Sequence, residues 1–278
     1  MSFPCFFAIF VTVKSKQMAG NDCCIKRSAI ILGAFMLFFV LWYFNIAVRP
    51  FEGCIGSSQT LHYTLNYLLA GLIPTWALFL LHARRDIASS MGLSHGFGTG
   101  LLFAVTATLP MIAGYAVIGE FDRELTADAA FTWIFIAGIF EELVYRGFVF
   151  RYARWGFLPA ALLTALAFGS LHLYQGHDLA SALTAFGVTA LGSIFFSWLY
   201  VEWNYNLWSV IWLHTLMNLP WIVFRVSTSG AVGDTGANAL RLCTIILAIG
   251  LPVAYRRKRG LSYRIQINTL ITNKIQNA

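Results

Sequence analysis

Charge is what this sequence has least of. Only 11% of its 278 residues are charged and 58% are hydrophobic, whereas soluble domains carry about 25% charged residues. That shortage excludes a soluble globular domain. The chain also lacks a cysteine framework. Its five cysteines, Cys5, Cys23, Cys24, Cys54 and Cys243, show no Cys-x-x-Cys spacing, so they suggest neither a zinc knuckle nor a disulfide scaffold. Cys23 and Cys24 read as free thiols beside the first apolar run, with palmitoylation the alternative. There is no internal repeat and no glycine-rich phosphate loop. Gly-x-Ser-x-Gly is absent, and so is His-Glu-x-x-His, which argues against a zinc protease of the soluble type.

What the chain does have is length in its apolar runs. A transmembrane helix needs about 20 mainly apolar residues. Eight segments qualify: Ser28–Val48, His62–Leu81, Phe97–Ile118, Phe131–Phe150, Phe157–Leu173, Leu179–Tyr200, Leu207–Phe224 and Leu240–Tyr255. The expected fold is an all-α, polytopic membrane bundle of about eight helices. Its organisation reads as an N-terminal extension (1–27), a multi-span domain (28–258) with its motif core at 131–218, and a C-terminal tail (259–278). The extension is apolar over "FPCFFAIFVTV" but too short to span. It reads as interfacial, or as non-native with translation starting at Met18. The polar tail is expected to be poorly ordered.

The formal net charge is +7, and the basic residues gather at alternate span ends. Lys26 and Arg27 precede the first span. Arg84 and Arg85 follow the second, Arg151 and Arg154 the fourth, and "RRKR" (Arg256 to Arg259) the eighth. Glu120, Asp122, Glu124 and Asp128 occupy the loop after the third. This pattern predicts both termini in the cytoplasm. It also makes anionic lipid, rather than nucleic acid, the partner of the basic cluster. Trp42, Trp155, Trp203 and Trp221 near span ends read as an interfacial belt.

Against that background "IFEELVYRGFVFRY" (Ile139 to Tyr152) is out of place, with Glu141, Glu142 and Arg146 inside one predicted span. A charge at the bilayer centre costs about 2.5–3.5 kcal/mol, and intramembrane ionisable residues mark functional sites by default. Glu142 and Arg146 are four residues apart, so they share a helix face and can pair. Glu141 is turned by about 100° and has no intrahelical cation of its own. "FGSLH" places His172 one turn after Phe168, and "HTLMN" places Asn218 one turn after His214. A glutamate beside an imidazole can deprotonate water. A second imidazole and an amide can donate to an oxyanion. Glu141, His172 and His214 also make a set that suits catalytic zinc, and spacing leaves the two chemistries open. A proton pathway or transporter using the same groups is the third reading, although it should come with repeats.

"EELVYR", "FGSLH" and "HTLMN", in that order on successive spans, resemble the CPBP family of intramembrane proteases. That family includes the CAAX prenyl endopeptidases of the Rce type and the bacterial Abi proteins. The resemblance covers about Phe131 to Asn218 and departs at no motif position. It implies an endopeptidase acting on a membrane-associated or lipid-modified protein, with Glu141 and His172 activating water and His214 and Asn218 lining the oxyanion site. Glu142, Arg146 and Phe168 fall on supporting positions. The glutamic, metal-free mechanism is favoured and no cofactor is expected, with zinc on Glu141, His172 and His214 the alternative.

Overall fold

The computed structural model describes residues 25–82, 87–153, 155–226 and 233–271. The extension up to residue 24, with Met18, Cys5, Cys23 and Cys24, lies outside the described residues, as do Arg84, Arg85, Arg154 and the last seven residues. Eight long helices account for most of what is described. They are α1 (Ile25–Tyr43), α2 (Gln59–His82), α3 (Phe97–Ile118), α4 (127–153), α5 (Phe157–Ser170), α6 (Leu179–Glu202), α7 (Leu207–Val223) and α8 (Thr235–Arg259). In lipid every backbone N–H and C=O must find a partner within the protein, and a helix supplies them all. This is a multi-pass helical membrane protein.

The eight helices differ in length and charge. Among the described residues six helices are long and apolar enough to cross a bilayer. The exceptions are α4 and α7, and α5 qualifies only with the 3₁₀ turn that carries it on to Gln175. Helix α4 carries Asp128, Glu141, Glu142, Arg146 and Arg151. Helix α7 has 17 residues, a length of about 25 Å at 1.5 Å per residue against a hydrocarbon core of about 30 Å. These two are the helices that hold most of the ionisable motif residues, and they pack inside the bundle. Helix α7 lies along α3 and against α4, while α5 pairs with α6 and α8 covers α3.

The bundle has two chemically distinct ends. At one, the Trp155 indole donates to Ser28 Oγ (2.7 Å), Arg151 Nε donates to Ser90 O (3.0 Å) and Tyr200 donates to Met91 O (2.9 Å). The basic ends of α1, α4 and α8 meet here. At the other end Asp128 accepts from Ser58 Oγ (2.9 Å) and from the Gln59 N–H (2.6 Å), which ties α4 to the start of α2. A two-residue antiparallel pair, β1 (Glu120–Phe121) with β2 (Phe224–Arg225), closes the same end, and Arg225 bridges to Asp122 at 2.6 Å.

The described part of the tail is held in place by hydrogen bonds. Residues up to 271 are not loose. Glu202 ends α6 at 4% exposure, and a buried carboxylate requires partners. Arg256 pairs with it at 2.8 Å, and the backbone N–H groups of Arg264 and Ile265 donate to Oε1 at 3.1 Å each. A short helix, Ile267–Leu270, then packs on α5.

Helix α4 is not a plain α-helix. Two π-helical stretches, Thr132–Ile136 and Leu143–Phe150, flank the α-helical Ala137–Glu142. Such widened turns are frequent at functional sites. They bracket the glutamate pair here. Gly138 makes the approach of α7 possible. A Cβ at that position would lie 2.7 Å from Thr215 Oγ1 and 3.2 Å from its backbone nitrogen. The two backbones therefore come close one residue away from His214.

Candidate active site

The ion pair expected from the i, i+4 spacing is present. Arg146 Nη1 lies 3.1 Å from Glu142 Oε1, with both side chains about 1% exposed. The other terminal nitrogen of Arg146 donates to Ser193 O and Ser193 Oγ of α6, each at 3.0 Å. Phe196 and Phe168 lie beside the guanidinium, with ring centres 5.4 and 5.8 Å from it. The charge is thus compensated by one carboxylate, two oxygens and two aromatic rings.

His214 stands where both glutamates can be reached. Its Nδ1 is 2.8 Å from Glu142 Oε1 and its Nε2 is 3.6 Å from Glu141 Oε2. A carboxylate only accepts, so the proton of this hydrogen bond sits on Nδ1. The 3.6 Å separation is too long for a hydrogen bond. Glu141 and His214 retain 15% and 14% side-chain exposure, in contrast with the sealed Glu142. Sequence spacing separated the two glutamates but did not reveal that His214 is held by the supporting one.

His172 follows the last turn of α5. Its Nδ1 is 2.8 Å from Phe168 O. A carbonyl accepts, so Nδ1 carries the proton, and Nε2 is the accepting nitrogen of the neutral ring. The Phe168 ring packs against His172 at 4.6 Å between centres and also faces Tyr145 and His214. Asn218 donates from Nδ2 to Trp133 O at 3.0 Å, which fixes its amide on α4.

Glu141, His172, His214 and Asn218 all line one cavity of about 590 Å³. Its floor is Glu142, Arg146 and Ser193. Its rim, at the end opposite the basic cluster, includes Tyr43, Asn45, Tyr174 and Gln175. Its walls hold residues that the motif reading did not assign to a site: Tyr63, Asn66, Tyr67, Trp133 and Arg241. Trp42 and Trp221, read as belt residues, also face it. Arg241 had a usable signal, as an arginine inside the predicted eighth span. The aromatic lining had none, because aromatics are common throughout this chain.

Among the described residues no group of three or more His, Cys, Asp or Glu side chains is placed to hold a metal ion. His214 directs Nδ1 to Glu142, and His172 directs Nδ1 to a carbonyl.

Fold and site together define a class: a multi-pass helical membrane protein with a carboxylate and imidazole cavity between its helices. Residues 124–220 match the family described as Rce1-like, type II CAAX prenyl endopeptidase. The matched residues include Glu141, Glu142, Arg146, Phe168, His172, His214 and Asn218, and exclude Arg241. No curated protein and no solved structure matches the chain.

Proposed function

We propose that the chain is an intramembrane endopeptidase that hydrolyses a peptide bond in a membrane-associated or lipid-modified protein, without a covalent intermediate. The observation that carries this reading is the asymmetry of the adjacent glutamates. Glu142 is neutralised by Arg146 and sealed, whereas Glu141 opens onto a cavity shared with His172, His214 and Asn218.

Glu141 takes a proton from a water held between it and His172 Nε2, and the water oxygen bonds to the scissile carbonyl carbon. The carbonyl π pair moves to oxygen. Asn218 has a second N–H beyond the one bonded to Trp133 O, and that N–H faces the oxyanion. His214 Nε2 carries a proton for the same oxyanion only as the imidazolium, since Glu142 already holds the Nδ1 proton. Collapse of the tetrahedral intermediate breaks the C–N bond, and the proton on Glu141 passes to the leaving amine. One water is consumed, and one carboxylate and one ammonium appear, the second water proton passing from the new carboxyl group to the amine. Removing a single oxyanion donor from such a site costs about 10²–10³ in kcat.

The basic end of the bundle is assigned to the cytoplasm, with the start of α1 and the end of α8 on that side. The test of function is a comparison of membrane-protein termini in cells carrying wild-type or Glu141→Ala protein at equal abundance. New uncleaved precursors in the variant are expected. Identical termini in the two strains would overturn the reading.

A further inference from the structure

The described end of the chain folds into a foot at the basic end of the bundle, outside the cavity and outside the matched stretch. Gly260 ends α8 at φ 64°, the left-handed conformation that glycine adopts without steric cost. The Leu261 N–H donates back to Arg256 O at 2.9 Å. The chain therefore turns at once instead of running on from the helix. Glu202 then grips it, accepting from the Arg264 and Ile265 N–H groups, while Arg264 Nε donates to Asn204 Oδ1 at 2.6 Å. Ile265 and Leu270 pack against the core, and Thr269 is buried.

What this foot turns outward is apolar. Leu261 and Tyr263 are exposed, Ile267 is 91% exposed and Ile271 69%. Grouped apolar exposure of this kind marks a contact surface. Beside it stand Arg257, Lys258 and Arg259, all exposed. Arg256 does not belong to this surface, because it is buried and its charge is matched by Glu202. No Asp or Glu follows Asp234 in the chain, so the foot carries no acidic side chain to answer its three cations. Its depth is marked by Trp203, which stacks on Tyr255 with ring centres 5.8 Å apart. Such aromatics gather at headgroup level. Gly260 follows Tyr255 by five residues, about 7 Å of helix.

We propose that residues 260–271 form a preshaped foot that docks on an anionic bilayer surface, with its outward isoleucines at the acyl boundary and Arg257, Lys258 and Arg259 on lipid phosphates. This goes beyond the peptidase reading and does not depend on it. A basic cluster at a span end calls only for anionic lipid nearby. The Glu202 clasp adds an apolar ridge that is already ordered, so docking loses little conformational entropy. Charge selects the occupant. A second copy would set the same cations against each other, and the residues after 271 add Lys274 and no Asp or Glu. An anionic leaflet complements both the cations and the apolar ridge.

The test uses the full chain with its native cysteines changed to serine and Ile267→Cys labelled with NBD, reconstituted in nanodiscs of phosphatidylcholine with or without phosphatidylglycerol. Docking is read as the blue shift of the probe and its quenching by nitroxide-headgroup lipid. Three cations near an anionic surface should raise the ratio of docked to free foot about a hundredfold over neutral lipid. Quenching should be strong with phosphatidylglycerol, weak without it, and relieved by high salt. Arg257→Gln/Lys258→Gln/Arg259→Gln should fall to the neutral-lipid level. Ile271→Ser, which removes apolar contact but no charge, should weaken quenching in the anionic discs. Equal quenching in the two lipids overturns the proposal, and so does its absence from both. Unchanged quenching in Ile271→Ser overturns the seating of the ridge. A blue shift in detergent that grows with protein concentration assigns the ridge to a second copy and overturns the proposal as well. Should the triple variant fail to fold, the salt series on the protein with its cations intact decides, and quenching that ignores salt overturns the proposal.

Discussion

His214 joins the two adjacent glutamates of α4 through opposite edges of one imidazole ring, 2.8 Å from Glu142 and 3.6 Å from Glu141. The supporting carboxylate thereby sets the orientation of the ring that faces the exposed one. A change at Glu142 reaches the cavity through both His214 and Arg146, whereas a change at Glu141 disturbs neither of the contacts shorter than 3.5 Å.

That difference predicts opposite behaviour for neighbouring substitutions. Glu141→Gln should abolish cleavage while leaving the Glu142–Arg146 pair and the thermal midpoint largely intact. Glu142→Ala leaves Arg146 buried with two neutral oxygens from Ser193 and without its hydrogen-bonded carboxylate. Loss of one partner of a buried pair costs about 3–5 kcal/mol. Thermal unfolding in detergent, read beside cleavage, separates the two. Similar midpoints for Glu142→Ala and wild type would show that the pair is dispensable.

Gly138 offers a purely steric test of the α4–α7 contact. The Cβ of Gly138→Ala would press on Thr215 Oγ1 at 2.7 Å and on the Thr215 backbone nitrogen at 3.2 Å. Overpacking of this kind costs about 1–3 kcal/mol, and any shift of α7 moves His214 away from both carboxylates. Reduced kcat with partial recovery in Gly138→Ala/Thr215→Ala is expected, since the second change removes the hydroxyl but not the backbone nitrogen. Full activity of Gly138→Ala would show that the close approach is not needed.

How much of this could be read from the sequence varies with the physical origin of each feature. The ion pair of Glu142 and Arg146 follows from helical periodicity, which local spacing encodes. So does the separation of Glu141 from Glu142. The role of His214 as a link between them is tertiary, because it depends on Gly138 allowing two backbones to meet. The π-helical turns leave no mark in an apolar pattern. Glu202 is a single charge at the end of an apolar run, with no partner near it in the sequence. Its burial among Arg256 and two backbone N–H groups depends on residues more than fifty positions away, and so the order of the tail was missed. Arg241 was legible by the same rule that singled out Glu141, an ionisable group inside an apolar run, but its motif-free surroundings gave it no partner to be read with.

Asp128 gives the fold a pH response at the acidic end. Its hydrogen bonding with Thr60, and then with Ser58 and the Gln59 N–H, holds its carboxyl below the ordinary carboxylate value. A carboxyl with a lowered folded-state pKa contributes stability that is complete above its unfolded value, about 3.9, and is lost as pH falls through the folded value. Wild type should therefore exceed Asp128→Asn in thermal midpoint by a constant margin from pH 5 to 8, on the order of the span in which carboxylates stay ionised. The two should converge under stronger acid. A margin that persists in strong acid would mean that shape, not charge, ties α4 to α2.

A metal-free mechanism predicts that a chelator leaves the rate unchanged at saturating substrate. Cleavage that is lost with chelator and restored by zinc would require Glu141, His172 and His214 to turn away from their present partners and converge. Activity in purified protein, followed through dialysis against chelator, distinguishes the two.

The direction from which substrate arrives follows from the position of the cavity rim. Tyr174, which is 75% exposed, lines the rim at the acidic end, while Arg256 to Arg259 lie at the opposite end of α8. Cytoplasmic placement of the basic end therefore puts the mouth on the other face of the membrane. In a background whose native cysteines are replaced by serine, a membrane-impermeant maleimide applied to intact cells should label Tyr174→Cys and spare Arg259→Cys. Labelled Tyr174→Cys protein should also lose cleavage, because the adduct sits in the path to Glu141. The reverse labelling pattern would invert the protein in the membrane. The depth of the glutamates beneath the mouth would be the same, but the segments that could reach Glu141 would then be those presented on the cytoplasmic face.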